Sequence, residues 1–599
     1  MLTLSGAVIG GILFITLRWN FWERLSAAIT AITITVMSLS IVFTILASPL
    51  ARWNNIRLMP TFALLAGHPI YSTPNEGPIY SWLYGPLAAV MYLPATLAHS
   101  PVSAITIAAT EAVIFFLLPL LGIFFVCSKD YRRGRQMVMA LLGLISFFAL
   151  ISGHEGLVYA MFKVHADAPA IGFASLSALF LHFRQRNWDV YCSLAALFAV
   201  FSLLTKQTML PLIIALPLYV LITEGPQRFL RFSLIISALL AVSVTTLLMI
   251  FGIEPVIFTM FDYPKSMGWH THLLSSAKLN NDLMFAIPFL KFSDDLRGGF
   301  LLILLLPIFV IGWRASLSKE YSGLKNTFNS MSGLLLFFAI FLLPMSLLAR
   351  AKIGGAMNSY APTTYFLIAA CIAGTLEIIH INRSVEKRAR RLGIILLTIC
   401  AVSIVPTAVP SIIRQVNANP LRLAWGSAVH QAYDYLLQYP GATYFPWYPL
   451  SALLAEGELH HTGVGLVDRD LAGVPTNEEH LKNYLPKNLT FIAMKSKGRR
   501  EKAMLNLHFS HFNIAGDASE VGACKSTQNS CLDSSWKFYS VFPAQLYINY
   551  VDKYPDLITA YNQDPNEMLK HTWGLQHYCE FGLREGRSSP GVEVIHCSK

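Results

Sequence analysis

The sequence predicts a polytopic α-helical membrane protein with a C-terminal α/β domain, and three observations support this. Of its 599 residues, 54% are hydrophobic and only 13% are charged, with a mean hydropathy of +0.51. Apolar stretches long enough to cross a bilayer recur through the first two thirds of the chain. A mixed segment of about 185 residues follows, which is a normal size for one domain. An ordinary soluble globule is thereby excluded.

The predicted spans come first along the chain. A spanning helix needs roughly 20 apolar residues, and about twelve segments meet this need. They are residues 2–17, 26–48, 102–127, 136–152, 167–183, 189–204, 208–223, 232–251, 299–313, 331–348, 361–380 and 392–410. The first has no basic stretch before it and no convincing cleavage site after it, so we expect a retained helix and not a signal peptide.

The orientation follows from the basic residues of the short loops. Lys and Arg concentrate in residues 128–135, 184–188, 226–231, 314–325 and 383–391, which the positive-inside rule places in the cytoplasm. All five basic loops lie on the same side of the membrane only if the apolar stretch 87–98 does not cross it. We therefore expect a juxtamembrane helix at 87–98. Loops 49–101, 153–166, 252–298 and 349–360 are then external, as is the tail from about residue 411. Topology thus explains the formal charge of +11, and no nucleic-acid partner is expected.

Cysteine usage agrees with this topology. Four cysteines lie in or beside predicted helices, where buried free thiols are expected: Cys127, Cys192, Cys371 and Cys400. Four others lie in the tail: Cys524, Cys531, Cys579 and Cys597. An even count in an external domain fits two disulfides. Proximity favours Cys524 with Cys531 and Cys579 with Cys597, although other pairings and metal binding remain open.

The predicted domains are a transmembrane domain at 1–412, an α/β domain at 413–545 and a small helical module at 546–599. Short strands are expected at 442–446, 489–494 and 538–542, with helices at 421–437 and 449–456. In the last module, Tyr554-Pro555-Asp556-Leu557 is followed by His577-Tyr578, Phe581-Gly582 and Glu585-Gly586-Arg587. This order resembles a helical repeat of bacterial surface and secreted proteins, which implies a bacterial inner membrane and a periplasmic tail. A plain packing module is the alternative.

Two charged stretches interrupt the apolar pattern, at residues 163–167 and 205–208. An ionisable residue at the end of a spanning helix is costly unless it meets water, a partner or a ligand. Both stretches are predicted on the external side. The two helices between them cross and return, so we expect Asp167 and Lys206 to meet at one surface.

These stretches and two other loops resemble those of the GT-C superfold of membrane glycosyltransferases, which use sugars carried on polyprenyl phosphate. The first loop has the Leu-x-Gly-x-Pro-x-Tyr pattern at 65–71 and an aromatic-Gly-Pro-Leu entry at 84–87. Residues 163–167 are similar to the Arg-Pro-Asp element of that family, and 205–208 to its Thr-Lys-Gln element. The loop 352–360 is similar to a Gly-Gly…Asn-Tyr element of related chains.

The resemblance implies transfer of a sugar from a polyprenyl-phosphate donor to a periplasmic glycan, lipid or protein, with inversion at the anomeric carbon. Such transfer needs an acid/base group and donors for the leaving phosphate. The catalytic candidates are Asp167, Glu76 and His165. The candidates for holding the sugar or its phosphate are Lys206, Gln207, Arg57, Lys163, Lys352, Tyr84, Asn54 and Asn358. No residue is assigned as a metal ligand, and a divalent metal is left open as a cofactor.

One departure from the family concerns its acid early in the first loop, where this chain has Asn54 and Asn55. Either Glu76 or Asp167 would replace it, or the activity would differ from that of the family. Each candidate also has a simpler interpretation: a solvated turn for Glu76, a helix cap for Asp167, and lipid-headgroup contact for His165, Lys163 and Lys206.

The acidic pair Asp294 and Asp295 is interpreted as solvated.

Two other functions are alternatives to sugar transfer. The chain could be a transporter or flippase of lipid-linked saccharide, or a catalytically inactive assembly subunit.

Overall fold

The computed structural model describes residues 21–80, 82–128, 133–295, 310, 327–379, 386–441, 443–487, 489, 491–495, 514–515, 536–541, 544–563 and 570–588. The chain forms two compact units. The membrane unit comprises Met1–Thr61, Leu83–Leu97 and Ser103–Ala424. The C-terminal unit comprises Phe62–Trp82, Ala98–Val102 and Trp425–Lys599, so part of the predicted first loop belongs to it.

The longer helices up to residue 418 are α1 (Phe21–Leu46), α2 (Arg52–Leu65), α3 (Pro101–Cys127), α4 (Arg133–Ile151), α5 (Glu155–Phe162), α6 (Asp167–His182), α7 (Trp188–Thr205), α8 (Pro211–Glu224), α9 (Pro226–Phe251), α10 (Met331–Ala351), α11 (Ala361–Ile379), α12 (Glu386–Val402) and α13 (Ile404–Ala418). A further α-helix of nine residues lies at Ile287–Asp295. Short helical turns lie at Ser48–Leu50, Leu87–Val90, Leu93–Leu97, Phe183–Gln185, Gln207–Met209, Ile253–Ile257, Phe258–Asp262, Tyr263–Ser266, His272–Ser276, Asn281–Ala286, Met357–Tyr360 and Pro420–Trp425.

Within the described residues, nine helices are long and apolar enough to cross a membrane, or up to ten if the bent pair α5 and α6 is one span. The chain is therefore a multi-pass helical membrane protein by length and composition. The predicted spans 2–17 and 299–313 lie outside the described residues, apart from Val310. The stretch 87–98, predicted as a juxtamembrane helix, forms only the short turns Leu87–Val90 and Leu93–Leu97 and no helix long enough to cross a membrane.

The charged stretch 163–167 is a sharp break in a helix. Helices α5 and α6 meet at an angle of 92° across residues 163–166. Lys163 is extended (φ −98°, ψ 143°), and Pro169 lies in the first turn of α6, where its missing N–H costs nothing. The backbone N–H of Val164, freed from helical bonding, donates to Asn54 Oδ1 at 3.1 Å. The break is therefore held by a specific partner.

The stretch 205–208 is a second break. Helix α7 ends at Thr205, Lys206 is extended (φ −148°, ψ 122°), and a 3₁₀ turn at Gln207–Met209 leads into α8. Pro211 occupies the first position of α8, where proline is favoured. Both predicted charged stretches thus lie where a helix stops and its polar backbone must be satisfied by other groups.

The C-terminal unit contains a four-stranded mixed sheet of order β1-β2-β4-β3, with β1 at Thr443–Tyr444, β2 at Phe491–Met494, β3 at Ile514–Ala515 and β4 at Lys537–Val541. β1 and β2 are parallel, and the other two pairs are antiparallel. The helices of this unit are α14 (Ala428–Gln438), α15 (Pro449–Glu456), α16 (Gly463–Ala472), α17 (Glu478–Asn483), α18 (Ala544–Lys553), α19 (Pro555–Asn562) and α20 (Lys570–His577), followed by a π turn at Tyr578–Gly582.

Several predicted elements coincide with these. The strands expected at 442–446, 489–494 and 538–542 fall on β1, β2 and β4, and the helix expected at 449–456 is α15. The last helices have a small core of their own that includes Tyr547, Tyr550 and Trp573. Cys579 takes part in a disulfide bond, whereas Cys524, Cys531 and Cys597 lie outside the described residues. The helical cysteines Cys127, Cys192, Cys371 and Cys400 form no disulfide bond in the described part of the chain.

A buried histidine binds the first-loop segment inside the C-terminal unit. His461 Nδ1 accepts a hydrogen bond from Ile79 N at 2.8 Å, and its Nε2 lies 3.1 Å from the carbonyl oxygen of Leu481. The ring therefore donates through Nε2 and accepts through Nδ1 as a neutral imidazole. Burial, with repulsion from His480, lowers the pKa of His461 to about 3.

We expect the stability of this unit to fall as pH drops. Because the folded pKa lies below the unfolded value of about 6.5, the unfolded chain binds the proton more readily between these values. Stability is full above pH 6.5 and is lost toward pH 3, by up to about 1.4 kcal/mol per pH unit. The measurement is thermal unfolding between pH 7.5 and 5 for wild type and His461→Asn, whose amide keeps an acceptor near the Nδ1 position. Equal pH slopes in both proteins would refute the assignment.

Candidate functional site

Asp167, the first residue of α6, is the centre of a buried charged network. Its side chain is fully buried and forms an ion pair with Lys206 through Oδ1. Asn358 Nδ2 donates to Oδ2 at 2.8 Å, and His165 Nδ1 lies 2.7 Å from the same oxygen. Both carboxylate oxygens are thus engaged by donors. The charge is further favoured by the N-terminus of α6.

The local fold explains why these residues meet. α6 and α7 pack as an antiparallel pair, so the start of α6 and the end of α7 lie at the same end. Their ion pair confirms the prediction that Asp167 and Lys206 meet, but both side chains are buried and do not lie at a surface. Asn358 arrives from the 3₁₀ turn Met357–Tyr360, which is 191 residues away from Asp167 in sequence. Three separate breaks in the helical pattern therefore form one cluster.

Tyr84 and Arg57 extend the network beyond His165. The Tyr84 hydroxyl lies 2.7 Å from His165 Nε2. The Arg57 guanidinium carbon is 5.1 Å from the Tyr84 ring centroid and 5.7 Å from that of Trp53, which is within cation–π range. The imidazole thus contacts the buried carboxylate, the phenol contacts the imidazole, and the cation lies over the phenol ring.

Two predicted ligand-binding amides have structural contacts in the described chain. Asn54 is fully buried, accepts from Val164 N and donates through Nδ2 to Ser48 O at 2.8 Å. Gln207 Nε2 donates to the carbonyl of Leu83 and lies 3.4 Å from that of Met260. The amide at 54 therefore fixes the break that carries His165 and precedes Asp167.

The remaining predicted residues, Lys163, Lys352 and Glu76, have other surroundings. Lys163 is half-buried, and its side chain has no hydrogen bond or ion pair among the described residues. Lys352 Nζ donates to the carbonyls of Lys265 at 2.9 Å and Met267 at 2.8 Å, and burial lowers the pKa of Lys352. Glu76 is exposed in a turn of the C-terminal unit.

Sequence reasoning missed two supports of the site. Tyr92 donates to His165 O at 2.7 Å. Asp295, interpreted above as solvated, is instead nearly buried and receives two hydrogen bonds from Arg350 at 3.0 and 3.2 Å. Arg350 also donates to Gly355 O at 2.7 Å and so steadies the loop that leads to Asn358. The solvated interpretation of Asp295 was wrong because its partner lies 55 residues away.

In the part of the chain that the structure describes, no group of three or more His, Cys, Asp or Glu side chains is placed to hold a metal ion. Fold and cluster together define a class: a multi-pass helical membrane protein with a buried, lysine-paired carboxylate at breaks in its helices.

Comparison with known proteins gives only distant likenesses. No protein-family model and no curated protein matches the sequence. ArnT from Cupriavidus metallidurans bound to undecaprenyl phosphate is similar at a TM-score of 0.45 and 11% identity, over 85% of this chain and 98% of that one. The Archaeoglobus fulgidus oligosaccharyltransferase tethered with an acceptor peptide is similar at 0.41 and 12% identity, over 79% and 71%.

Proposed function

We propose that this chain is a membrane glycosyltransferase that moves a sugar from a polyprenyl-phosphate donor to an acceptor outside the cytoplasm. The observation that carries the proposal is the buried network of Asp167, Lys206, His165 and Asn358 at breaks of membrane helices. Buried charge in a membrane protein is costly and marks a functional site by default. The type of reaction is inferred from the resemblance of the same loops to those of GT-C glycosyltransferases.

The contacts suggest a division of roles. Lys206 was predicted to hold the donor phosphate, but its ammonium group is paired with Asp167. We therefore assign the phosphate to Lys163, which is half-buried in the same break as His165, and to Arg57. The rings of Trp53 and Tyr84 beside Arg57 offer apolar faces for the sugar. Lys206 and Asn358 then hold Asp167 in place.

The proposed setting is a bacterial cytoplasmic membrane, with the site and the C-terminal unit on the periplasmic side. The concentration of Lys and Arg in the alternate short loops supports this orientation. Direct displacement at the anomeric carbon would invert its configuration. The acceptor class is a glycan, lipid or protein of the cell envelope.

The test is donor consumption by the purified protein in lipid nanodiscs with a panel of polyprenyl-phosphate sugars. Replacing Lys163 by Gln removes a charge-assisted contact of about 1.5 to 3 kcal/mol, so KM for the donor should rise at least tenfold. Lys278→Gln, at an exposed lysine of the loop 252–298 that is predicted to be external, is the matched control and should leave KM unchanged. Equal KM values in both variants would remove Lys163 from the site.

A flippase of lipid-linked saccharide is the second candidate, favoured by the 92° break between α5 and α6. The same protein in sealed vesicles distinguishes the two. Faster movement of the lipid-linked sugar across the bilayer, with no donor consumed under any acceptor condition, would refute the transferase and support transport.

A further inference from the structure

We infer that Tyr84 is the acceptor-facing end of a proton relay formed by Tyr84, His165 and Asp167. This inference rests on the proposed function and adds to it the group that deprotonates the acceptor. Two short contacts in series carry it: Tyr84 Oη to His165 Nε2 at 2.7 Å, and His165 Nδ1 to Asp167 Oδ2 at 2.7 Å.

The direction of the hydrogen bonds follows from the charges. A carboxylate only accepts, so His165 Nδ1 carries the proton that faces Asp167. The backbone N–H of Asp167 also lies near Nδ1, but at 3.3 Å this contact is the weaker one. Lys206 already balances the charge of Asp167, so a second positive charge on the buried ring would be uncompensated. The ring is therefore neutral, and Nε2 accepts the hydrogen bond of the Tyr84 hydroxyl.

Burial decides which group meets the acceptor. Asp167 is fully buried and His165 is 4% exposed, so neither presents an oxygen or nitrogen to an incoming hydroxyl. Tyr84 is only partly buried. The Tyr92 hydroxyl donates to the backbone carbonyl of His165 at 2.7 Å. The position of the His165 ring is therefore fixed by this backbone contact as well as by Asp167. The reachable member of the series is the phenol.

Arg57 makes this phenol suitable for proton transfer. Its guanidinium lies 5.1 Å from the ring centroid of Tyr84, where a positive charge stabilises negative charge developing on the phenol. A preorganised cation at the point where charge develops is the general means by which buried sites lower a barrier.

The relay balances as follows. The acceptor hydroxyl passes its proton to Tyr84 Oη while the phenol proton moves to His165 Nε2, and the short-lived imidazolium keeps its hydrogen bond from Nδ1 to Asp167 Oδ2. The acceptor oxygen forms a bond to the anomeric carbon as the carbon–oxygen bond to phosphate breaks, and the electron pair leaves with the phosphate. The imidazolium proton then returns through Tyr84 to the phosphate or to water. The relay thereby takes the place of the acid that Asn54 and Asn55 do not provide.

The test compares Tyr84→Phe with Tyr159→Phe in the transferase assay. Both rings pack edge-on against His165, at centroid distances of 4.9 and 5.4 Å, but only Tyr84 has a described hydrogen bond to it. Loss of general-base catalysis costs about 10² to 10⁴ in rate. We expect Tyr84→Phe to lower kcat at least a hundredfold, with KM for the donor within threefold, and to flatten the low-pH limb of kcat/KM. Tyr159→Phe should keep both values.

A second variant guards against misfolding. Replacing Tyr84 by 3,5-difluorotyrosine preserves the ring and hydroxyl but makes the phenol more acidic, which should shift the pH profile. His165→Asn should lose as much kcat as Tyr84→Phe, and the double variant should lose no more, because the two act as one unit.

The outcomes separate the relay from the proposed function. If the wild-type protein transfers sugar and Tyr84→Phe keeps its kcat and pH profile, the relay is wrong and the function stands. A rise in KM alone would make Tyr84 a binding residue and would also overturn the relay. If the wild-type protein consumes no donor with any acceptor, the function and the relay fail together.

Discussion

Replacing Lys206 by Met should lower the unfolding free energy of the membrane unit by about 3 to 5 kcal/mol and abolish sugar transfer. The side chains of Lys206 and Asp167 are only 8% and 0% exposed. Removing the lysine leaves a buried carboxylate without its compensating charge. An unpaired buried charge lowers the free energy of unfolding strongly. His165 and Asn358 remain, but neither carries a fixed positive charge.

The double variant Lys206→Met/Asp167→Asn separates charge from packing. With no buried charge left, it should recover at least half of the lost stability while remaining inactive. Unfolding can be followed by the reaction of a thiol-specific dye with the buried cysteines Cys127, Cys192 and Cys371.

An exposed ion pair is the control for this prediction. Lys482→Met breaks a contact with Glu478 in which the side chains are 56% and 50% exposed, and it should change stability by less than about 1 kcal/mol. If Lys206→Met were as mild as Lys482→Met, the pair with Asp167 would not be the anchor of the site.

Replacing Gly85 by Ala should also cost about 3 kcal/mol and reduce transfer more than tenfold. A Cβ at residue 85 would lie 1.8 Å from the carbonyl oxygen of Leu204, and this backbone atom cannot rotate away. Gly85 N–H also donates to Thr205 O at 3.3 Å, so the first loop and the end of α7 touch directly. Separating them would move Tyr84 from His165 and Lys206 from Asp167.

Gly153→Ala is the matched control, because nothing lies within 4 Å of a Cβ at that position. Thermal unfolding and donor consumption should be near wild type for Gly153→Ala and strongly impaired for Gly85→Ala. Equal stability and activity of the two variants would show that the first loop and α7 can separate without loss of either, which would contradict the importance of their close contact.

The sequence was informative about helices and breaks because both depend on local properties. Apolar length predicted most of the spans, and the positions of Lys163–Asp167 and Thr205–Thr208 at helix ends follow from the loss of apolar character. The proximity of Asp167 and Lys206 was also predictable, since two consecutive antiparallel helices return the chain to the same end of the helix pair.

The partners of the site residues were less predictable. Lys206 was expected to face phosphate but pairs with Asp167, and Gln207 contacts backbone carbonyls in the described structure. Asp295 was expected to be solvated but binds Arg350. Each of these contacts joins residues from 39 to 124 positions apart in the chain. No sequence period specifies such pairs.

The sequence by itself therefore determined a multi-pass helical protein, the places where its helices stop, and a set of polar residues at those places. Tertiary structure alone decided that Tyr84, His165 and Asp167 form one series and that Asn54 accepts the backbone N–H of Val164. The physical reason is that helix formation depends on neighbours three or four residues apart, whereas a buried carboxylate takes its partners from whichever segments packing brings within about 3 Å.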